Sequence, residues 1–195
     1  MSELILASTS PYRRELLARL AVPFRCVAPP IDEEAYKRSD LSPPALAEYL
    51  AEVKARSVAE LEPTAIVIGC DQLATCAGRI LGKPGSVAGA NAQLAALAGK
   101  EHALITALVV LCGEQIERHT DIATLRMRSL TAAEIAGYVS LDAPHDCAGS
   151  YKLECHGITL FESIRSGDHS AITGLPLIAL TTILRRYGKQ IPPMA

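Results

Sequence analysis

Absences narrow this chain before any residue is given a role. No apolar run among its 195 residues reaches the roughly 20 residues that a membrane-spanning helix needs. No basic surplus exists: 19 Lys and Arg stand against 21 Asp and Glu, a net charge of -2. That argues against a general nucleic-acid coat, so any basic cluster must be local, as a small phosphorylated ligand requires. No C-x-x-C occurs among Cys26, Cys70, Cys76, Cys112, Cys147 and Cys155, and their spacing fits no zinc framework. His145, Cys147, Cys155 and His156 can be drawn as a metal cluster, but isolated cysteines are commonly just buried; reduced structural thiols are the expectation. G-x-G-x-x-G and G-x-S-x-G are both missing. Lys83, between Gly82 and Pro84, is no Walker lysine, because Ala77 stands where that motif needs Gly and Pro84 where it needs Ser or Thr. Met1-Ser2-Glu3 lacks the basic start of a signal peptide, and Leu4-Ile5-Leu6-Ala7 is too short for its apolar core. A cytoplasmic protein with one domain over residues 1–195 is expected, 49% hydrophobic and large enough for a substantial core.

What is present is most informative at the start. Leu4-Ile5-Leu6-Ala7 reads as a strand that runs into Ser8-Thr9-Ser10-Pro11-Tyr12-Arg13-Arg14. Ser10 suits a helix N-cap and Pro11 the first helical position. An acidic residue belongs three positions after such a cap, facing the positive end of the helix dipole. Arg13 and Arg14 occupy that turn instead. Either both are solvated surface residues, or the guanidiniums, hydroxyls and free N–H groups of the turn surround an anion, with phosphate the obvious candidate.

Strands and helices then alternate. Residues 24–28 read as a second strand that Pro29-Pro30 breaks, leading to an acidic loop at Asp32-Glu33-Glu34. Ser42-Pro43-Pro44 opens a helix to about Leu61, with Leu46, Leu50, Val53 and Val58 inward. Residues 65–70 form the clearest buried strand, followed by a hairpin turn at Gly78-Arg79. A helix over 87–97, a long hairpin of 103–112 and 116–128 around Gly113-Glu114, a capping box at Thr131-x-x-Glu134 and a last helix over 176–187 complete the chain. The expectation is an α/β fold with a mixed sheet and flanking helices.

Several side chains carry candidate chemistry. Asp71 follows a buried strand, where open α/β sheets place ligand-contacting residues; it either binds a cation or orients water, or it is a turn aspartate. Asp32-Glu33 offers a second carboxylate source, or a solvated loop. Lys54, on a helix patterned for burial, either snorkels to water or reaches a phosphate. His145-Asp146-Cys147 resembles thiol chemistry only superficially, since adjacency does not supply catalytic geometry. Arginines, lysines and carboxylates without an internal nucleophile point to metal-assisted attack of water on a phosphate chain.

Together these segments resemble the Maf family of nucleotide pyrophosphatases. The resemblance runs from Leu4-Ile5-Leu6-Ala7-Ser8-Thr9-Ser10-Pro11 through Asp32-Glu33, Lys54, Gly69-Cys70-Asp71-Gln72, Gly82-Lys83-Pro84 and Cys147-Ala148-Gly149-Ser150-Tyr151-Lys152 to Gly174-Leu175-Pro176-Leu177. Each motif is weak alone; the ordered set is specific. It implies hydrolysis of a nucleoside triphosphate at the α–β bond to the monophosphate and pyrophosphate. It also implies a divalent cation, Mg²⁺ or Mn²⁺, an inosine-triphosphatase-like fold with two lobes around a cleft, and often a homodimer. By position, Asp71 matches the family's catalytic proton acceptor and Glu33 its second acidic position, a metal ligand. An aspartate is a weak base, so a metal-orienting role for Asp71 stands beside proton transfer. Ser8, Arg13, Arg14, Lys54 and Lys83 match the phosphate-contacting set.

Three positions separate the branches of that family. The dTTP/UTP branch carries Arg, Thr and Gln where this chain has Tyr12, Gln72 and Glu154. The present triplet is similar to the branch that hydrolyses 7-methyl-GTP, with an aromatic residue, Gln and Glu. N7-methylation makes the guanine ring cationic, which an aromatic face attracts, and the Glu154 carboxylate can accept hydrogen bonds from N1–H and the exocyclic amine. Outside the family frame, Tyr12 is equally a surface aromatic and Glu154 a solvated or salt-bridged strand residue, with Lys152 as its possible partner. A nucleotide-binding regulator of septum formation is the alternative of a different class, and a dTTP/UTP pyrophosphatase the alternative within it.

Overall fold

The computed structural model describes residues 2–36 and 38–193; Met1, at the head of the Met1-Ser2-Glu3 start, lies outside them. Seven strands form one mixed sheet: β1 (Leu4–Ala7), β2 (Arg25–Val27), β3 (Ile66–Cys76), β4 (Arg79–Leu81), β5 (Glu101–Cys112), β6 (Gln115–Met127) and β7 (Phe161–Arg165). Their order is β2-β1-β3-β5-β6-β7, with β4 paired to β3. The helices are α1 (Pro11–Ala18), α2 (Pro43–Ala59), α3 (Val87–Leu97), α4 (Ala132–Asp142), α5 (His169–Ile172) and α6 (Leu177–Arg186). The expected α/β class with a mixed sheet and flanking helices is the observed one. Two compact units emerge: one comprises the chain up to Asp71, Thr106–Asp121 and the chain from Asp168 onward; the other comprises Gln72–Ile105 and Ile122–Gly167.

In the first unit β1 lies parallel to both β2 and β3. Period-two alternation then sorts β3 into two faces. Ile66, Ile68 and Cys70 join Leu4 and Leu6, Leu16 and Leu17 of α1, Leu108 and Val110, and Leu180, Ile183 and Leu184 of α6 in one buried cluster. Each fully buried leucine there contributes about 1.5–3 kcal/mol. The opposite face carries Val67, Gly69 and Asp71 and receives α2. A Cβ on Gly69 would overlap the Ala51 carbonyl oxygen and lie 2.8 Å from the Ala55 methyl; glycine here admits the backbone of α2.

Several sequence expectations need correction. The strand does not end before Asp71: it continues to Cys76 because its second half pairs with β4. Cys76 opposes Arg79, so the hairpin turn is Ala77-Gly78, with φ of 49° and 75°, not Gly78-Arg79. That is the two-residue geometry that suits strand twist. The acidic loop contains a 3-10 turn over Glu33–Tyr36, whose Glu34 N–H donates to the Asp32 carboxylate at 3.1 Å. Ser10 and the Thr131–Glu134 capping box cap α1 and α4 as expected.

The second unit is built around a neutral polar core. His102 Nε2 lies 2.9 Å from the Tyr151 hydroxyl, and both rings pack with Phe161. Burial holds the His102 imidazole down at about 4, so it is uncharged near neutrality. Gln93 of α3 donates to the Gly82 carbonyl at 3.0 Å and accepts from the Ser150 hydroxyl at 2.5 Å. It thereby fastens the Gly82-Lys83-Pro84 loop and the Gly149-Ser150 turn to one helix.

Candidate active site

The parallel strands set the stage. Ala7 pairs with Val27 at the ends of β1 and β2, and Leu6 pairs with Ile68. Continuing that register places Ser8 level with Cys70. One edge of the sheet therefore launches the Ser8–Arg14 segment, the chain toward Glu33, and Asp71. This carboxyl edge is where open α/β sheets bind ligands.

At its centre lies an ion-paired triad of side chains. α2 buries Leu46, Ala47, Leu50, Ala51, Lys54, Ala55 and Val58, a helical stripe in which Lys54 takes an apolar position. Its Nζ donates to Asp71 Oδ1 at 2.7 Å and lies 3.0 Å from Glu33 Oε2. Lys54 is 5% exposed and Asp71 6%, whereas the Glu33 side chain is 54% exposed. Lys54 thus neither snorkels to water nor stands alone. A buried ammonium is stable only when compensated, and two carboxylates compensate it. The Gly69 gap is what lets α2 come near enough for that pairing.

Beside this group, the Arg13 and Cys70 side chains converge on one acceptor. Arg13 Nε donates to the Gly174 carbonyl at 3.0 Å, and the Cys70 thiol donates to the same oxygen at 3.1 Å. Burial raises the Cys70 thiol, which keeps it a neutral donor and gives it a structural role. Gly174, at φ 116°, opens the Gly174-Leu175-Pro176-Leu177 motif. Asp168 secures the segment on either side of that motif: its carboxylate accepts from the Ser170 N–H and from the Ile178 N–H at the start of α6. Ser8 is buried and accepts from the Ser10 N–H; Arg14 is exposed and Tyr12 half-buried.

The remaining candidates belong to the second unit. Gln72 is half-buried in β3, Lys83 is exposed, and Glu154 is exposed in a turn rather than a strand. Lys152 lies 3.4 Å from Asp146, which makes Asp146 its ion-pair partner. Burial, aided by Asp146, pushes the Cys147 thiol up to about 12, so it is no nucleophile near neutrality. His156 pairs with Asp142 at 2.6 Å.

Sequence reasoning missed Gly69, Asp168 and His102. A glycine inside a strand signals close backbone approach, and Asp-x-Ser signals a cap; His102 carried no local signal. Two carboxylates sharing one positive nitrogen are hard oxygen donors around a seat for positive charge, and they fit Mg²⁺ or Mn²⁺. Among the described residues no group of three or more His, Cys, Asp or Glu is placed to hold a metal.

Fold and site define an α/β protein with a carboxylate–ammonium group at the carboxyl edge of its parallel strands. A family model described as Maf-like protein matches residues 3–187: the chain belongs to the Maf family. The 7-methyl-GTP pyrophosphatase of Bdellovibrio bacteriovorus is 51% identical over 182 residues, 93% of this chain and 95% of that protein. The protein of the same description from Xanthomonas oryzae pv. oryzae is 48% identical over 98% of this chain and 100% of its own length. A solved HAM1 protein from Coxiella burnetii superposes with a TM-score of 0.52 at 15% identity, covering 95% of this chain and 100% of that one; the likeness is one of fold.

Proposed function

We propose that this protein hydrolyses the α–β bond of 7-methyl-GTP to 7-methyl-GMP and diphosphate. The observation that carries the chemistry is the Asp71–Lys54–Glu33 group; the substrate follows the description of relatives about half identical over nearly the whole chain. Asp71 takes the proton from the water that attacks the α-phosphorus, as the O–P bond to the departing diphosphate breaks. Ser8, Arg13, Arg14, Lys54 and Lys83 bind phosphate oxygens and neutralise charge that grows on the leaving group. Arg13 is already oriented by the Gly174 carbonyl, so its guanidinium meets a phosphate with little further ordering. Glu33 and Asp71 would hold the divalent cation, which when bound supplies Lewis-acid charge neutralisation. Tyr12, Gln72 and Glu154 select the methylated base, Tyr12 by cation–π attraction and Glu154 by accepting from N1–H and the exocyclic amine. A homodimer and a cytoplasmic location belong to the same reading. No helix among the described residues is long and apolar enough to cross a membrane.

The test is pyrophosphate release with Mg²⁺ or Mn²⁺ across 7-methyl-GTP, GTP, dTTP, UTP and CTP. Preference for 7-methyl-GTP, lowered toward GTP by Glu154→Gln, is the expected result. Preference for dTTP or UTP overturns the base assignment and leaves the catalytic group standing. No release from any nucleotide by folded protein with metal present moves the reading to a nucleotide-binding regulator.

A further inference from the structure

Lys54 has a phosphate to bind during hydrolysis, yet in the ligand-free chain its ammonium is held by two carboxylates. Lys54 Nζ holds Asp71 Oδ1 at 2.7 Å and Glu33 Oε2 at 3.0 Å, and so occupies the seat that the two carboxylates would offer a cation. It is a built arrangement: Lys54 and Asp71 are both more than nine-tenths buried, and Lys54 sits in the apolar stripe of α2. Two carboxylates and one ammonium sum to a single negative charge. A divalent ion entering beside the ammonium would add positive charge to positive charge, while each carboxylate already has one oxygen committed. A lysine head on a four-carbon stem can move by rotamer change, and Glu33, on an exposed 3-10 turn, can follow it.

We propose that Lys54 is a resident counter-ion that withholds Asp71 and Glu33 from metal until nucleotide phosphates draw its ammonium away, so that metal and nucleotide bind together rather than metal first. This rests on the reading of Glu33 and Asp71 as the metal-holding pair. The gating residue works without any conformational change of the fold: phosphate is the better partner for the ammonium, and the carboxylates are released as it leaves. By linkage, nucleotide and metal then raise each other's affinity by an equal factor.

Two measurements test this without turnover. The first titrates Mn²⁺ into nucleotide-free wild-type protein, Lys54→Met and Lys54→Gln, following free Mn²⁺ by electron paramagnetic resonance, with circular dichroism to verify folding. Both variants should bind Mn²⁺ about tenfold or more tightly than wild type, within the usual range of coupling between sites, and adding Asp71→Asn to either should abolish the gain. The second labels lysine with ¹⁵N and follows the Lys54 ammonium resonance, identified by its loss in Lys54→Gln, as a non-hydrolysable α,β-methylene analogue of the triphosphate is added without metal. The resonance should shift on saturation. Wild type binding Mn²⁺ as tightly as the variants overturns the gate and leaves the metal-holding pair in place. No Mn²⁺ binding by any of the proteins overturns the metal reading itself, and the gate with it. Should both variants fail to fold, Lys54→Arg supplies the assignment and the resonance decides: an ammonium signal unmoved by saturating analogue overturns the proposal.

Discussion

Among the described residues the first unit buries Lys54, Asp71 and Asp168, whereas the second unit buries His102 and Ser150, keeps His102 neutral by desolvation and encloses the carboxylate of Asp142. The two units meet the cost of buried polarity in different ways. In the first, charge is kept and compensated, either by an opposite charge that a ligand could replace or, at Asp168, by the N–H groups that open α5 and α6. In the second, His102 is left neutral with its Nε2 against the Tyr151 hydroxyl, and the Asp142 carboxylate is met by the ring and the backbone N–H of His156. Its charged candidates Lys83 and Glu154 stay in water. The first unit thus buries an ammonium and a carboxylate together, whereas the second buries a carboxylate tied to the turn at His156.

The largest effect that could break this contrast is on turnover. Asp71→Asn keeps the shape of the side chain and removes its charge; pyrophosphate release should fall about a hundred- to ten-thousand-fold, the range for loss of a positioned proton acceptor, with an unchanged circular dichroism spectrum. Undiminished release would mean that the buried charge is structural in the first unit as well. Asp168→Ala separates the two uses of charge there. It strips acceptors from the Ser170 and Ile178 N–H groups and should lower stability by about 2–3 kcal/mol in urea unfolding, with kcat affected far less than by Asp71→Asn. Gly69→Ala joins packing to chemistry. Forcing α2 off β3 should cost about 1–3 kcal/mol and reduce turnover as well, because the displaced helix carries Lys54.

How far these differences could be read from the chain depends on whether the signal is local. The Ser10 cap with Pro11 behind it, helix α3 over 87–97 and the Thr131–Glu134 box are set by residues within one turn of each other, and all appear where expected. Asp71 and Glu33 could be singled out as acids that follow apolar runs. That one lysine would bind both could not, because the contact spans 17 residues in one direction and depends on a glycine in the facing strand. Helix α5 has four residues, too few for periodicity to show, and it exists because Asp168 caps it. The turn at Ala77-Gly78 lies one residue before the position the sequence suggests, because Ala77 adopts a left-handed φ that alanine seldom signals. Cys70 gains a role only in three dimensions, where the Gly174 carbonyl lies between its thiol and Arg13.

The smallest effect concerns the second unit alone and sharpens its side of the comparison. The His102 imidazole titrates near 4 when folded and near 6.5 in an unfolded chain. Between those values the unfolded chain holds the more protons, so the neutral core's contribution is complete above about pH 6.5 and drains away as the pH falls toward 4. By about pH 4.5 the loss should be about 2 kcal/mol relative to neutral pH. His102→Gln retains an amide able to bond the Tyr151 hydroxyl but cannot titrate, so its urea stability should fall by that much less over the same interval. Contributions common to both proteins cancel in the difference. Equal pH slopes for the two would mean that His102 reaches water when protonated, and that desolvation does not hold its ring neutral.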